Sequence, residues 1–172
     1  ANSVKYHSIA NLSQELICEM AAVKMMTGKG DLFVLGMYRP PNAPFDETLA
    51  LIAEALDTIP QNNCGICLVV DLNVDSLEDT NEKFLLRDLL ASYDIARLDL
   101  PPTRITNTSK DVVCTNLNNT MIDVEIVDTG ISDHTLQLCT IKFPCRSKKN
   151  PTSCNRTFTS RNVGLFKNLV SN

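Results

Sequence analysis

The chain has 172 residues, of which 44% are hydrophobic and 21% charged, the length and proportions of a single globular domain with its own core. No apolar run reaches the roughly 18 residues that a membrane span requires, and no N-terminal segment has the basic, apolar and small-residue order of a signal peptide. A net charge of −4 excludes holding nucleic acid by bulk positive charge, yet suits a site built from carboxylates, where a cation meets the phosphate.

Leu16 to Met26 is apolar apart from Glu19 and Lys24, a pattern open to helix or strand. The Gly28-Lys29-Gly30-Asp31 turn after it points to a hairpin with a strand over Leu32–Tyr38. Arg39-Pro40-Pro41-Asn42 ends that strand, because proline cannot donate to a ladder. Leu49, Ile52, Ala53 and Leu56 recur at helical spacing and predict a helix over Phe45–Ile59, with Asp46 as its cap and Pro60 beyond its end. Gly65–Val70 is a short continuous apolar run, the pattern of a strand buried on both faces, and it stops abruptly at Asp71-Leu72-Asn73.

A second helix is predicted over Asn81–Ser92, and Pro101-Pro102 opens an extended stretch. Strands follow at Val112–Cys114, Met121–Val127 and Thr135–Phe143. Helices between the early strands and strands in series later predict an α/β layered sandwich of mixed sheets flanked by helices. After Pro144 the composition turns to Arg, Lys, Pro, Ser, Thr and Asn. The expected division is a domain over 1–144 and a linker over 145–172 with a short amphipathic helix at Asn162–Val170.

The 7 cysteines are irregularly spaced, which favours free thiols in a reducing, intracellular compartment. Asn11, Asn107, Asn118 and Asn155 each open an N-x-[ST] sequon, the feature that keeps secretion open. Cys64-Gly65-Ile66-Cys67 has no second pair to complete a zinc site, and it enters a strand rather than a helix N-terminus, so it is assigned no chemistry. His7, near one end, has no evident partner.

Three polar groups carry the candidate chemistry. Asp71 and Asn73 close a buried strand, where an α/β protein binds ligands: a carboxylate to orient water or hold a metal, an amide to hold a phosphate oxygen. The same residues also favour turns. Ser132-Asp133-His134 offers an imidazole able to donate to a phosphate oxygen or shuttle a proton. Asp111, at the start of a strand, suits a carboxylate that orients such an imidazole.

Tyr38-Arg39-Pro40-Pro41, Val70-Asp71-Leu72-Asn73, Pro102-Thr103-Arg104, Lys110-Asp111 and Ser132-Asp133-His134, in this order, resemble the second half of the endonuclease/exonuclease/phosphatase family. The Y-R-P-P and P-T-R-I-T segments are most similar to endonuclease domains of non-LTR retrotransposons, and the tail resembles the linker to their reverse transcriptase. The resemblance implies a Mg²⁺- or Mn²⁺-dependent phosphodiesterase that nicks DNA, and with it a nuclear location. It implies that Asp71 orients or deprotonates water, that Asn73 holds the scissile phosphate, and that His134, oriented by Asp111, contacts a non-bridging oxygen. It places Asp71, Asn73 and Asp133 at the metal, Tyr38 near the leaving group, and Thr103 and Ser132 around the phosphate. Arg39 and Arg104 are assigned to backbone phosphates as cations beside these motifs.

Three departures shape the expectations. Only 37 residues precede Tyr38, too few for the family's first half with its metal-binding Glu, and Gln14-Glu15 lies too close to Tyr38 to replace it. Val70 stands where Gly is usual, adding bulk beside the site, and Lys110 stands where an apolar residue is usual. The expectation is therefore a half version of the fold, impaired alone, with an apolar sheet face covered by a second chain or dimer partner. The alternative is a non-catalytic, domesticated fragment that binds protein or serves a structural role.

Overall fold

The computed structural model describes residues 5–9, 13–26, 30–60, 62–104 and 106–142. The expected Gly28-Lys29 turn, Phe143, the linker over 145–172 and the helix at Asn162–Val170 lie outside these residues, so the boundary at 144 stays an expectation.

The described elements run β1 (Tyr6–Ser8), β2 (Glu19–Met26), β3 (Asp31–Tyr38), α1 (Phe45–Asp57), β4 (Cys64–Asp71), α2 (Asn81–Ala91), β5 (Ala96–Arg97), β6 (Asp111–Thr115), β7 (Ile122–Val127) and β8 (Leu136–Ile141). Strands β1 to β6 form one mixed sheet in the order β1-β2-β3-β4-β6-β5, and β7 and β8 form a separate two-stranded sheet. The ambiguous Leu16–Met26 segment is strand from Glu19 onward and pairs antiparallel with β3. β3 and β4 are parallel, joined through α1, while β6 returns antiparallel to β4. This is the predicted α/β arrangement of mixed sheets with helices.

Strand alternation sorts the side chains onto two faces. Phe33, Leu35 and Met37 of β3, Ile66, Leu68 and Val70 of β4, and Val112 and Cys114 of β6 share one core cluster with Ile52, Ala55 and Leu56 of α1. On the other face, Cys67 and Val113 pack with Val34 against Ile122, Val124, Cys139 and Ile141 of the β7–β8 hairpin. The hairpin covers only part of that face: Val69 stays 37% and Tyr38 41% exposed, as do half of Leu136 and Leu138 on the hairpin itself.

Two expectations need correcting here. Pro44, not Asp46, is the N-cap of α1, without a side-chain hydrogen bond; Asp46 and Glu47 instead place carboxylates in the first turn, favourable to the helix dipole. Val70 adds no bulk beside Asp71. Its side chain is buried in the α1-side core, and alternation sends Asp71 to the opposite face.

Candidate active site

The strand register builds the site. Tyr38 of β3 lies opposite Asp71 of β4, and Asp71 lies opposite Asp111 of β6, so the three residues form one row across the sheet on one face. The Ser132–His134 loop then closes over this row. Thr103 O accepts from Thr135 N (2.9 Å) and from Thr135 Oγ1 (2.9 Å), and an isolated bridge joins Arg104 to His134. Residues 23 to 63 positions apart in sequence thereby meet: ligand atoms of Asp71, Asp111 and His134 all lie within 4.8 Å of one another.

Asp111 is the hub. His134 Nδ1 sits 3.1 Å from each of its carboxylate oxygens. A carboxylate can only accept, so Nδ1 carries the proton and Nε2 is left for another partner. Thr103 Oγ1 donates to Asp111 Oδ2 at 3.0 Å, and Gln137 Nε2 donates to the Asp111 carbonyl at 2.8 Å. Ser132 Oγ accepts from His134 N at 3.1 Å and so shapes the loop that aims the ring.

Asp71 lies in a less favourable setting. Its pKa is raised, first by burial and further by the negative charge of Asp111. The Asn73 amide, the Arg104 guanidinium and His134 offset part of that rise. Asn73 N donates to Asp71 Oδ1 at 3.1 Å, and Asn73 adopts a left-handed φ of 55°. The chain therefore turns sharply after Asp71 rather than continuing extended, as Asp and Asn favour. The Asn73 side-chain amide donates to the Arg39 carbonyl (2.9 Å), which fixes its direction across the ends of β3 and β4.

Arg104 stands among three carboxylates. Its guanidinium is 3.5 Å from Asp71, 3.9 Å from Asp111 and 3.8 Å from Asp133, while its Nε has no hydrogen-bond partner among the described residues. Asp133 itself is 61% exposed and, among the described residues, joins the cluster through Arg104.

The expected site residues thus separate. Asp71, Asp111 and His134 converge, with Tyr38, Asn73, Arg104, Ser132 and Asp133 around them. Arg39 does not reach outward to a phosphate: it is 4% exposed and donates to the Leu72 (2.7 Å) and Ala43 (2.8 Å) carbonyls, stacked 5.0 Å from the Phe45 ring centroid. Burial explains the correction, since its donors are spent on the loops that shape the end of β4. Thr103 is likewise fully buried, so it holds Asp111 rather than touching a phosphate. Gln137 was not singled out from sequence; the sole mark of its role is a polar residue between Leu136 and Leu138 in a strand. Cys64 and Cys67, three apart on β4, point to opposite faces. Cys67 instead meets Cys139 of β8, and its hydrogen bond pulls the Cys139 thiol down to about 7.

The donor set fits a hard divalent cation. Carboxylate oxygens of Asp71 and Asp111 are the ligand type that Mg²⁺ and Mn²⁺ take, and the imidazole beside them suits Mn²⁺ as well.

No protein-family model and no curated protein matches the chain. Solved structures do. The endonuclease domain of TRAS1, a telomere-specific non-LTR retrotransposon, superposes with a TM-score of 0.67 at 18% identity, covering 81% of this chain and 67% of that one. The endonuclease/exonuclease/phosphatase protein of Beutenbergia cavernae gives 0.53 at 17% identity, covering 76% of this chain and 42% of that one. The human Nocturnin catalytic domain, solved with a bound sulfate anion, gives 0.51 at 11% identity, covering 78% of this chain and 58% of that one. At these identities the likeness is one of fold. The chain has the endonuclease/exonuclease/phosphatase fold, and it spans about two fifths to two thirds of the length of these structures.

Proposed function

We propose, from that fold and from the convergence of Asp71, Asp111 and His134, that the chain carries the second half of a divalent-metal phosphodiesterase site of an endonuclease that nicks DNA. The supporting observation is the Asp111–His134 pair at 3.1 Å, set in one row with a carboxylate whose pKa is raised. Asp111 orients the imidazole and balances the charge it takes up on protonation; Nε2 then meets a non-bridging phosphate oxygen. A raised pKa makes Asp71 a stronger base than an ordinary carboxylate, suited to accept the proton of the attacking water. Asn73 and Tyr38 frame the phosphate and leaving group, and Ser132 holds the loop that aims His134.

Asp71 and Asp111, with Asn73 and Asp133 beside them, would hold Mg²⁺ or Mn²⁺. When bound, that ion neutralises phosphate charge that a chain of net charge −4 does not offset elsewhere. Arg104 already brings one positive charge to the same carboxylates. A DNA substrate would place the protein in the nucleus, and a partner chain or dimer would complete the fold.

Nicking of supercoiled plasmid with Mg²⁺ tests this reading, comparing the natural chain with His134→Ala. The expected result is open-circle product from the natural chain and a loss of about 100-fold or more in the variant. Equal rates, or no product from either, would sink the enzymatic reading. In that case the second reading, a protein-binding module, gains support. The half-exposed Leu136 and Leu138 and the exposed Val69 favour it.

A further inference from the structure

A cleft of about 390 Å³ lies between α2 and the α1-side face of β5 and β6. Alternation puts it on the opposite side of the sheet from Asp71 and Asp111: Lys110, Val112 and Cys114 line it, while Asp111 and Val113 point away. It is therefore separate from the candidate active site, and binding there is independent of any phosphodiesterase chemistry.

The cleft is built from regular elements. Lys83, Leu86, Arg87, Leu90 and Ala91 recur at helical spacing, so one stripe of α2 faces it. Of that helix only Leu90 is buried. Close-packed interiors leave few voids larger than a water molecule, whereas ligand pockets begin at about 300 Å³. The walls are apolar, formed by Leu72, Leu86, Leu90, Ile95 and Val112. The Cys114 thiol at the wall is neutral, its pKa pushed up to about 12 by burial, so the floor carries no charge.

The rim is cationic. Lys83, Arg87, Arg97 and Lys110 surround the opening with one carboxylate, Asp99, in a chain of net charge −4. Lys83 is held by Asp79 (3.0 Å), Arg87 by Asp88 (3.0 Å), and Arg97 donates to the Ser76 carbonyl (3.1 Å). Lys110 forms no ion pair among the described residues. An apolar body with one cationic side matches an amphipathic anion, and the anion has Lys110 to meet. The cleft is walled by α2, by β5–β6 and by the Leu72–Ser76 segment, so it admits one chain rather than a flat bilayer.

We propose that this cleft binds a single medium-chain carboxylate, its hydrocarbon body against Leu86, Leu90, Ile95 and Val112 and its carboxylate at Lys110.

Isothermal titration of the full 172-residue chain with decanoate, below its micelle concentration, tests the proposal. The expected result is saturable binding of one decanoate per chain. Arg87→Glu/Lys110→Glu reverses the rim without touching the walls and should weaken decanoate by about tenfold or more. Ala91→Trp fills the cleft and should abolish binding of both decanoate and neutral decanol. The proposal is overturned by non-saturable or absent decanoate binding, by charge reversal that leaves affinity unchanged, or by decanol binding as tightly as decanoate. Capture on vesicles of phosphatidylcholine and phosphatidylserine in preference to decanoate also overturns it, since a bilayer is then the occupant. If circular dichroism shows Ala91→Trp unfolded, the charge-reversed variant decides alone.

Discussion

Asp71 accepts from Asn73 N at 3.1 Å and from Arg104 at 3.5 Å, yet burial first, and the Asp111 charge beside it, raise its pKa. That rise yields a stability prediction. An unfolded aspartate titrates near pH 3.9, and folded Asp71 titrates higher. Between the two values the folded state binds the proton more tightly, so stability falls as pH rises through this window and the penalty persists above it. Asp71→Asn should therefore melt higher than the natural chain at pH 7, with the difference closing below about pH 4. Thermal melts across this range check it; a variant less stable at pH 7 would contradict it. Asp71 was legible in the sequence because it ends a continuous apolar run, and Asp111 and His134 because each stands at the polar edge of an expected strand. Arg39 and Thr103 were misread because sequence gives a residue's type, and only packing shows that both are buried.

The elements divide by length. Both helices and strands β3, β4, β6, β7 and β8 carry a pattern that places them within a residue or a few of their ends, whereas Leu16–Met26 fits helix and strand alike, so β2 needs the pairing with β3 to be recognised. β1 and β5, of 3 and 2 residues, are too short for alternation to register, and they exist only because a neighbouring strand offers unpaired backbone. The cap of α2 was also silent: Thr80 Oγ1 accepts from Lys83 N at 3.2 Å. Thr80→Ala should cost about 1 kcal/mol by urea unfolding. Leu56→Ala should cost about 2–5 kcal/mol, because Leu56 is fully buried between α1 and the sheet. Similar losses for the two variants would mean that α1 is not the packed layer described.

At the scale of the whole molecule, the site is assembled from the ends of three strands and two loops, none sufficient alone. The order of helices and strands gave the fold class from sequence, but the row Tyr38–Asp71–Asp111 depends on register across parallel and antiparallel neighbours, which no local pattern encodes. The β7–β8 hairpin does cover part of the sheet face that a half fold was expected to expose, through Ile122, Val124 and Cys139. What stays open beside it, Val69 and Tyr38, borders the site itself. Mn²⁺ binding followed by electron paramagnetic resonance tests the site most directly, because it needs no turnover. The natural chain should bind one Mn²⁺, and Asp71→Asn and Asp111→Asn should each weaken it by about tenfold or more. Absence of binding, or binding that survives both substitutions unchanged, would contradict a metal-holding phosphodiesterase site at Asp71, Asp111 and His134.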